Sequence, residues 1–167
     1  NLNIINNQIK QIGKLVNEFS DFARMPKPTM REKDIVLLIN ENIKLLKELD
    51  NSIVIDFSTN PEKIILNSDK EQISRVFLNL IKNSIESIQQ RAENQSNLNK
   101  KITIELTENH GHIDIVIVDN GIGFEKFSAN ISDILNPYFT TKKNGTGLGL
   151  SIVNKIINDH NGKIEFI

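Results

Sequence analysis

A chain of 167 residues with 20 basic against 21 acidic side chains, net charge −1, gives no support to a nucleic-acid or bulk membrane binder. The absence of cysteine excludes a disulfide framework and thiol chemistry, and fits a reducing compartment. No apolar run approaches the roughly 20 residues of a membrane span and no signal peptide opens the chain, so no membrane contact is expected.

The length allows one ordinary domain plus an attached element. Residues 1–24 read as one helix. Leu2, Ile5, Ile9, Ile12, Val16, Phe19 and Ala23 recur in alternating steps of three and four, a heptad seam that needs a partner helix. Leu15 and Phe22 widen the apolar face, which favours a bundle over a two-stranded coil. Met25-Pro26-Lys27-Pro28 stops the helix, because proline removes a donor and restricts its predecessor. A domain boundary is placed there, between residues 27 and 28.

A mixed pattern follows. Ile35, Leu38, Ile39, Leu46 and Leu49 suit a helix; Ile53, Ile55 and Phe57 alternate as a strand; Ile64–Leu66 is a short strand. Ser68 with Glu71 makes a capping-box signature for a helix with Ile73, Val76, Phe77, Leu80, Ser84 and Ile88 on one face. Ile102, Ile104 and Leu106 form a strand, Glu108–Gly111 a turn and Ile113–Val118 another strand. Arg91–Lys101 reads as a loose loop. A glycine-containing stretch runs from Asn120 to Gly147, then a helix to about His160, a turn at Asn161-Gly162, and the start of a strand at Lys163–Ile167. Strands and helices mix without βαβ alternation, so the expected class is α+β, with helices on one face of the sheet.

Three groups of residues carry chemistry. Arg75, Asn79 and Asn83 stand four apart, opposite the apolar stripe, with Lys82 and Glu86 beside them. Amide oxygens one turn apart suit a hard cation such as Mg²⁺, and Lys82 suits phosphate; the same pattern also fits a solvated polar face. Asp119-Asn120-Gly121-Ile122-Gly123-Phe124 follows an apolar strand. A carboxylate there needs a donor, such as an adenine amino group, and the glycines admit close backbone approach; a plain strand-ending turn is the alternative. Gly145-Thr146-Gly147-Leu148-Gly149-Leu150-Ser151 opens a helix, where backbone amides and a helix N-terminus suit an anion. It matches neither a Rossmann turn nor a Walker loop and reads equally as a flexible hinge.

Together with Pro137-Tyr138-Phe139-Thr140-Thr141-Lys142, these groups resemble, in order and spacing, the N, G1, F and G2 boxes of sensor histidine kinases. Those belong to the wider ATPase group with gyrase, Hsp90 and MutL. Residues 16–26 resemble the second bundle helix of NtrY-type nitrogen-regulation sensor kinases. The resemblance implies a Bergerat-type two-layer α/β sandwich over residues 28–167, its last strands missing, preceded at 1–27 by part of the dimerisation bundle. It implies ATP and Mg²⁺ as cofactors, with Asn83 on the metal and Asn79 beside the phosphates and the metal's water. Asp119 would hold the adenine amino group, and Gly121 and Gly123 would shape its pocket. Residues 120–147 would form a lid anchored by Phe139, with Phe139 and Thr140 among the nucleotide-binding residues. Gly145, Thr146, Gly147, Leu148, Gly149 and Leu150 would cradle phosphate, with Lys142 or Lys143 read first as exposed lid lysines.

The implied activity is that of a protein-histidine kinase: phosphoryl transfer from ATP to a histidine, then to an aspartate of an NtrX/NtrC-like response regulator, in a homodimer formed through the N-terminal helix. Such a stretch lies in the cytoplasm, its parent anchored in the inner membrane. The chain reads as a fragment, because the phosphoacceptor histidine is expected before Asn1. His110 and His112 flank a glycine in a turn, and His160-Asn161-Gly162 resembles the capping site that ends the G2-box helix in many relatives, so none is expected to be the phosphoacceptor. Two other readings stand beside this one: another ATPase of the same group, against which the Asn at position 79 argues, and a non-catalytic dimerisation and regulator-docking module.

Overall fold

A computed structural model describes residues 2–49, 51–95, 97–123, 131–140, 142 and 145–166. Phe124, Thr141 and Lys143 of the sequence reading lie outside them. The chain divides into two compact units, one of Thr29–Ser128 and one joining Asn1–Pro28 to Ala129–Ile167.

The first unit holds β1 (Arg31–Asp34), α2 (Ile35–Leu49), β2 (Val54–Asn60), β3 (Ile65–Ser68), α3 (Lys70–Ala92), β4 (Lys101–Asn109) and β5 (His112–Asp119). β1 and β3 form an antiparallel ribbon. The main sheet runs β2-β4-β5, with β2 parallel and β5 antiparallel to β4, so it is mixed. The β4–β5 turn is the two residues His110 and Gly111, at φ 43° and 90°, which matches the primed turns that follow strand twist.

Register decides which face is core. Ile55 pairs with Ile102, Phe57 with Ile104 and Leu106 with Ile115, and directly paired residues share a face. Ile102, Ile104 and Leu106 are fully buried there. α3 packs on β4 and β5, and α2 on α3. Ile35, Ile39, Ile73, Phe77, Ile81 and Ile88 complete the core, each buried to within a few per cent. Asn42 is buried on α2 and spends its amide N–H groups on Leu38 O (2.8 Å) and Ser74 Oγ of α3 (3.2 Å), so those donors are satisfied where the two helices meet. Asp34 caps α2, accepting from Val36 N at 3.0 Å.

The second unit holds α1 (Leu2–Ala23), a 3-10 turn at Ile131–Leu135 and α4 (Gly149–Asp159). Ile5, Ile9, Ile12, Leu15, Val16 and Phe19, the described side chains of the expected seam with Phe22 and Ala23, are 39–62% exposed. α4 buries Ser151, Ile152, Val153 and Ile156. Its end is capped as the sequence suggests: Asn161 takes φ 58° and Gly162 N donates to Ile157 O at 2.8 Å. The strand expected from Lys163 is not formed among the described residues 163–166. A strand needs a neighbouring backbone to complete its ladder, and the Ile164/Phe166 alternation does not supply one.

Candidate functional site

α3 is the framework of the first group of site residues. The sequence puts its N-cap at Ser68; the structure puts it at Asp69, whose Oδ1 accepts from Glu71 N and Gln72 N at 3.0 Å each. Asp69 Oδ2 also accepts from Thr29 N at 2.7 Å. Ser68 is paired with Arg31 in the ribbon and therefore committed to strand geometry, while a carboxylate serves two amides and complements the positive helix end. Asn79 and Asn83 are half-buried on the helix, and Lys82 is exposed.

The end of β5 delivers the carboxylate. Asp119 pairs with Ile102, so its side chain is on the helix-facing side of the sheet, where it is half-buried. Its Oδ1 accepts from Gly121 N at 2.9 Å. Among the described residues, Oδ2 has no partner of its own. The turn beyond is fixed to α3 by two residues that sequence reasoning missed. Ser87 Oγ accepts from Ile122 N at 3.1 Å, and Arg91 Nη1 donates to Asn120 O at 2.9 Å and Gly121 O at 3.3 Å. Asn120 fastens the other side, accepting from Lys101 N at 3.0 Å and donating to Asn99 O. Gly121 is required by contact: a Cβ there would fall 2.0 Å from Ser87 Oγ and 2.6 Å from the Ser87 backbone carbon. Gly123 closes the described turn, exposed, at φ 67°. A shallow hollow of about 300 Å³ opens beside this turn, lined by Arg91, Asn94, Gln95, Gly121 and Ile122.

The second group lies in the other unit. Tyr138 N donates to Gly147 O at 3.0 Å, which brings Tyr138 and Gly147 together at the base of a loop. Inside it Thr140 Oγ1 accepts from Lys142 N at 3.1 Å, and Gly145 N donates to Lys142 O at 3.1 Å. Gly147 has φ 70°, and a Cβ on it would meet Tyr138 backbone at 2.4 Å, so no other residue fits. Phe139 is half-buried; Thr140 and Lys142 are exposed. Leu148 is fully buried and is the N-cap of α4 without a side-chain cap, so Gly149 and Leu150 begin the helix with backbone amides uncapped by a side chain. Two residues of α1 reach this loop: the Thr146 hydroxyl donates to the Glu18 carboxylate, and Phe19 stacks on Tyr138.

Within the first unit, then, the structure sets the Asp119–Gly123 turn against α3, one helical turn beyond Asn83. Within the second it gathers Thr140, Gly145, Thr146 and Gly147 in one loop. A carboxylate oxygen, half-buried amide side chains and an uncapped helix start are groups that bind, in turn, an amino-purine edge, a hard cation and an anion. Of the histidines, His110 and His112 are exposed, and His160 Nδ1 lies 2.8 Å from Ile156 O at the end of α4.

The family profile described as histidine kinase-, DNA gyrase B-, and HSP90-like ATPase matches residues 68–167. Nitrogen regulation protein NtrY of Azorhizobium caulinodans is 36% identical over 160 residues, 95% of this chain. The chain spans 20–26% of the length of the first curated relatives it matches. The nucleotide-free catalytic domain of histidine kinase ThkA is 31% identical with a TM-score of 0.65, over 78% of this chain and 81% of that one. ThkA in complex with response regulator protein TrrA is 27% identical with a TM-score of 0.70, over 96% of this chain and 44% of that one.

Proposed function

This chain belongs to the family of histidine kinase-, DNA gyrase B- and HSP90-like ATPases, and from that premise we propose that it is the ATP-binding catalytic portion of a two-component sensor histidine kinase. The observation that carries the reading is Asp119, a carboxylate held on the helix-facing side of β5 with one oxygen spent on its own turn. That leaves the other oxygen for the exocyclic amino group of adenine. Gly121 and Gly123 line the ring.

Asn83 offers an amide oxygen to Mg²⁺, and Asn79 sits beside the phosphates and the metal's water. Half-burial suits this donor set: the cation keeps protein on one side and water or phosphate on the other. Mg²⁺, when bound, neutralises phosphate charge. Lys82, exposed beside Asn83, adds a cation for phosphate. Phe139 anchors the lid, and Thr140 joins it in the nucleotide site. Amides of Gly145, Thr146, Gly147, Leu148, Gly149 and Leu150 hold phosphate oxygens. All of this is positioning and charge neutralisation, which is most of what phosphoryl transfer asks of a protein. Asn79 carries no carboxylate to activate water, so transfer is favoured over hydrolysis. The acceptor is a histidine outside this stretch, and the relay continues to an aspartate of an NtrX/NtrC-like response regulator. The exposed seam of α1 supports a homodimer through a helical bundle at residues 1–27, the catalytic domain beginning at 28.

The test is calorimetric titration of an ATP analogue into the wild type and Asp119→Ala. A lost charge-assisted hydrogen bond of about 1.5–3 kcal/mol predicts affinity lower by roughly 10- to 150-fold. Equal affinities would remove the adenine assignment. Adding a separate bundle helix with the acceptor histidine, and labelled ATP, then tests transfer: label on that histidine is expected, and binding without transfer favours a docking module.

A further inference from the structure

Two successive residues of α1 hold the loop that carries the second group of glycines. Thr146 Oγ1 donates to the Glu18 carboxylate, across 128 residues of sequence. Phe19 and Tyr138 stack with ring centroids 6.5 Å apart and planes 26° apart. Because Tyr138 N is bonded to Gly147 O, both contacts close on one backbone turn. Tyr138 is held at φ 69°, a left-handed conformation unfavourable for an aromatic residue. The arrangement is therefore kept by its contacts rather than by local preference. Beyond it, α4 starts without a side-chain cap.

We infer that Glu18 is a resident anion of the glycine loop, competing with nucleotide phosphate for the Thr146 hydroxyl, so that α1 gates nucleotide binding. The inference rests on the ATP reading above. A carboxylate and a phosphate oxygen seek the same donor, and two anions side by side repel. Phosphate that reaches this loop has to displace Glu18 or bind against its charge. The coupling is reciprocal: nucleotide weakens the hold of Glu18, and any shift of α1 that withdraws Glu18 raises nucleotide affinity. The two states are the loop latched by Glu18 and Phe19, and the loop released. Glu18 acts through the hydroxyl of Thr146 and is a positioning residue, not a catalytic one.

A fluorescent ATP analogue titrated into the whole chain with Mg²⁺ tests this. Glu18→Gln keeps the shape and removes the charge. It is expected to bind about fivefold tighter than wild type, the gain shrinking as salt is added. In a Thr146→Val background the same substitution should gain clearly less, because the shared donor is gone and only the charge repulsion is relieved. Without nucleotide, amide hydrogen exchange across residues 138–147 should speed up in Glu18→Gln and in Phe19→Ala. Unchanged or weaker binding by Glu18→Gln, or an equal gain in the Thr146→Val background, overturns the latch. A wild-type chain that binds no nucleotide overturns the ATP reading itself and the competition with it; binding that ignores Glu18 overturns the latch alone.

Discussion

Gly121→Ala is the sharpest single perturbation of the carboxylate's support. The new Cβ would lie 2.6 Å from the backbone carbon of Ser87 and 2.7 Å from its Cβ. Carbon atoms in contact sit ~3.5–4.0 Å apart, so the overlap is roughly 1 Å against helix backbone that cannot rotate away. Forced shifts of this kind cost about 1–3 kcal/mol. Moving the turn also breaks the Ile122 N to Ser87 Oγ bond, worth about 1 kcal/mol, and lengthens the exposed Arg91 bonds, worth less. The sum is about 2–4 kcal/mol, or a fall in Tm of about 4–16 °C for a chain of this size. Nucleotide affinity should fall with it, because Gly121 N is the partner that orients Asp119. Urea unfolding and calorimetric binding read the two effects. Ser87→Ala should not rescue Gly121→Ala, since the backbone carbon of residue 87 remains in place. Unfolding of Gly121→Ala within about 0.5 kcal/mol of wild type would refute the seating of the turn on α3.

Asn83→Ala should weaken nucleotide binding mainly when Mg²⁺ is present; an equal loss in chelator would count against its metal role. Asp69→Ala should destabilise by about 1–2 kcal/mol in urea unfolding, losing the α3 cap and the Thr29 bond together. Ser68→Ala should be near neutral, because its buried hydroxyl has no partner among the described residues; the opposite ranking would return the cap to Ser68. Val16→Glu, at an exposed seam position, should lower self-association by about tenfold or more in sedimentation while helix content stays the same; undiminished association would mean the dimer forms elsewhere.

The elements with a strong period were legible. α2 buries Ile35, Leu38, Ile39 and Leu46, and β4 buries Ile102, Ile104 and Leu106, as their patterns name, because periods of 3.6 and 2 fix a face whatever the neighbours are. The α3 stripe was read one position short: Ile81 is fully buried, while the named Leu80 is half-buried, since a stripe on a 23-residue helix winds around it. The cap was misplaced at Ser68 because β3 abuts α3 with no loop between, and local signatures do not say where a strand ends. The expected turn at 108–111 is narrower, since the ladder runs to Asn109 and resumes at His112. Site spacing was legible where one element carries it, as in Asn79 and Asn83 or the glycines of 145–149. Ser87 and Arg91 gave no signal, and Glu18 and Tyr138, though inside stretches that carry the resemblance, gave none for the contacts they make. Their partners are 35, 29 and 128 residues away or joined only through ring stacking, and any hydroxyl, cation, acid or aromatic reads as surface until the fold supplies the partner.

Why a turn can hold a carboxylate with useful precision follows from α3. Asn79, Asn83, Ser87 and Arg91 succeed one another at intervals of four, each step rising about 6 Å along the axis. The first two offer amide side chains; the last two grip the backbone that carries Asp119. Ile73, Phe77, Ile81 and Ile88 anchor the same helix in the core, so it cannot slide against the sheet without opening close-packed contacts. The spacing between the Asn83 amide and the Asp119 carboxylate is thereby set by helix rise and strand register, both stiff, and only weakly by the loop between them. The two halves of the row are also under different demands. A position proposed to meet a ligand needs a particular amide, whereas a position that holds backbone needs only some acceptor or donor at the right height, so on that proposal the amides stand out in the sequence and the clamp above them does not.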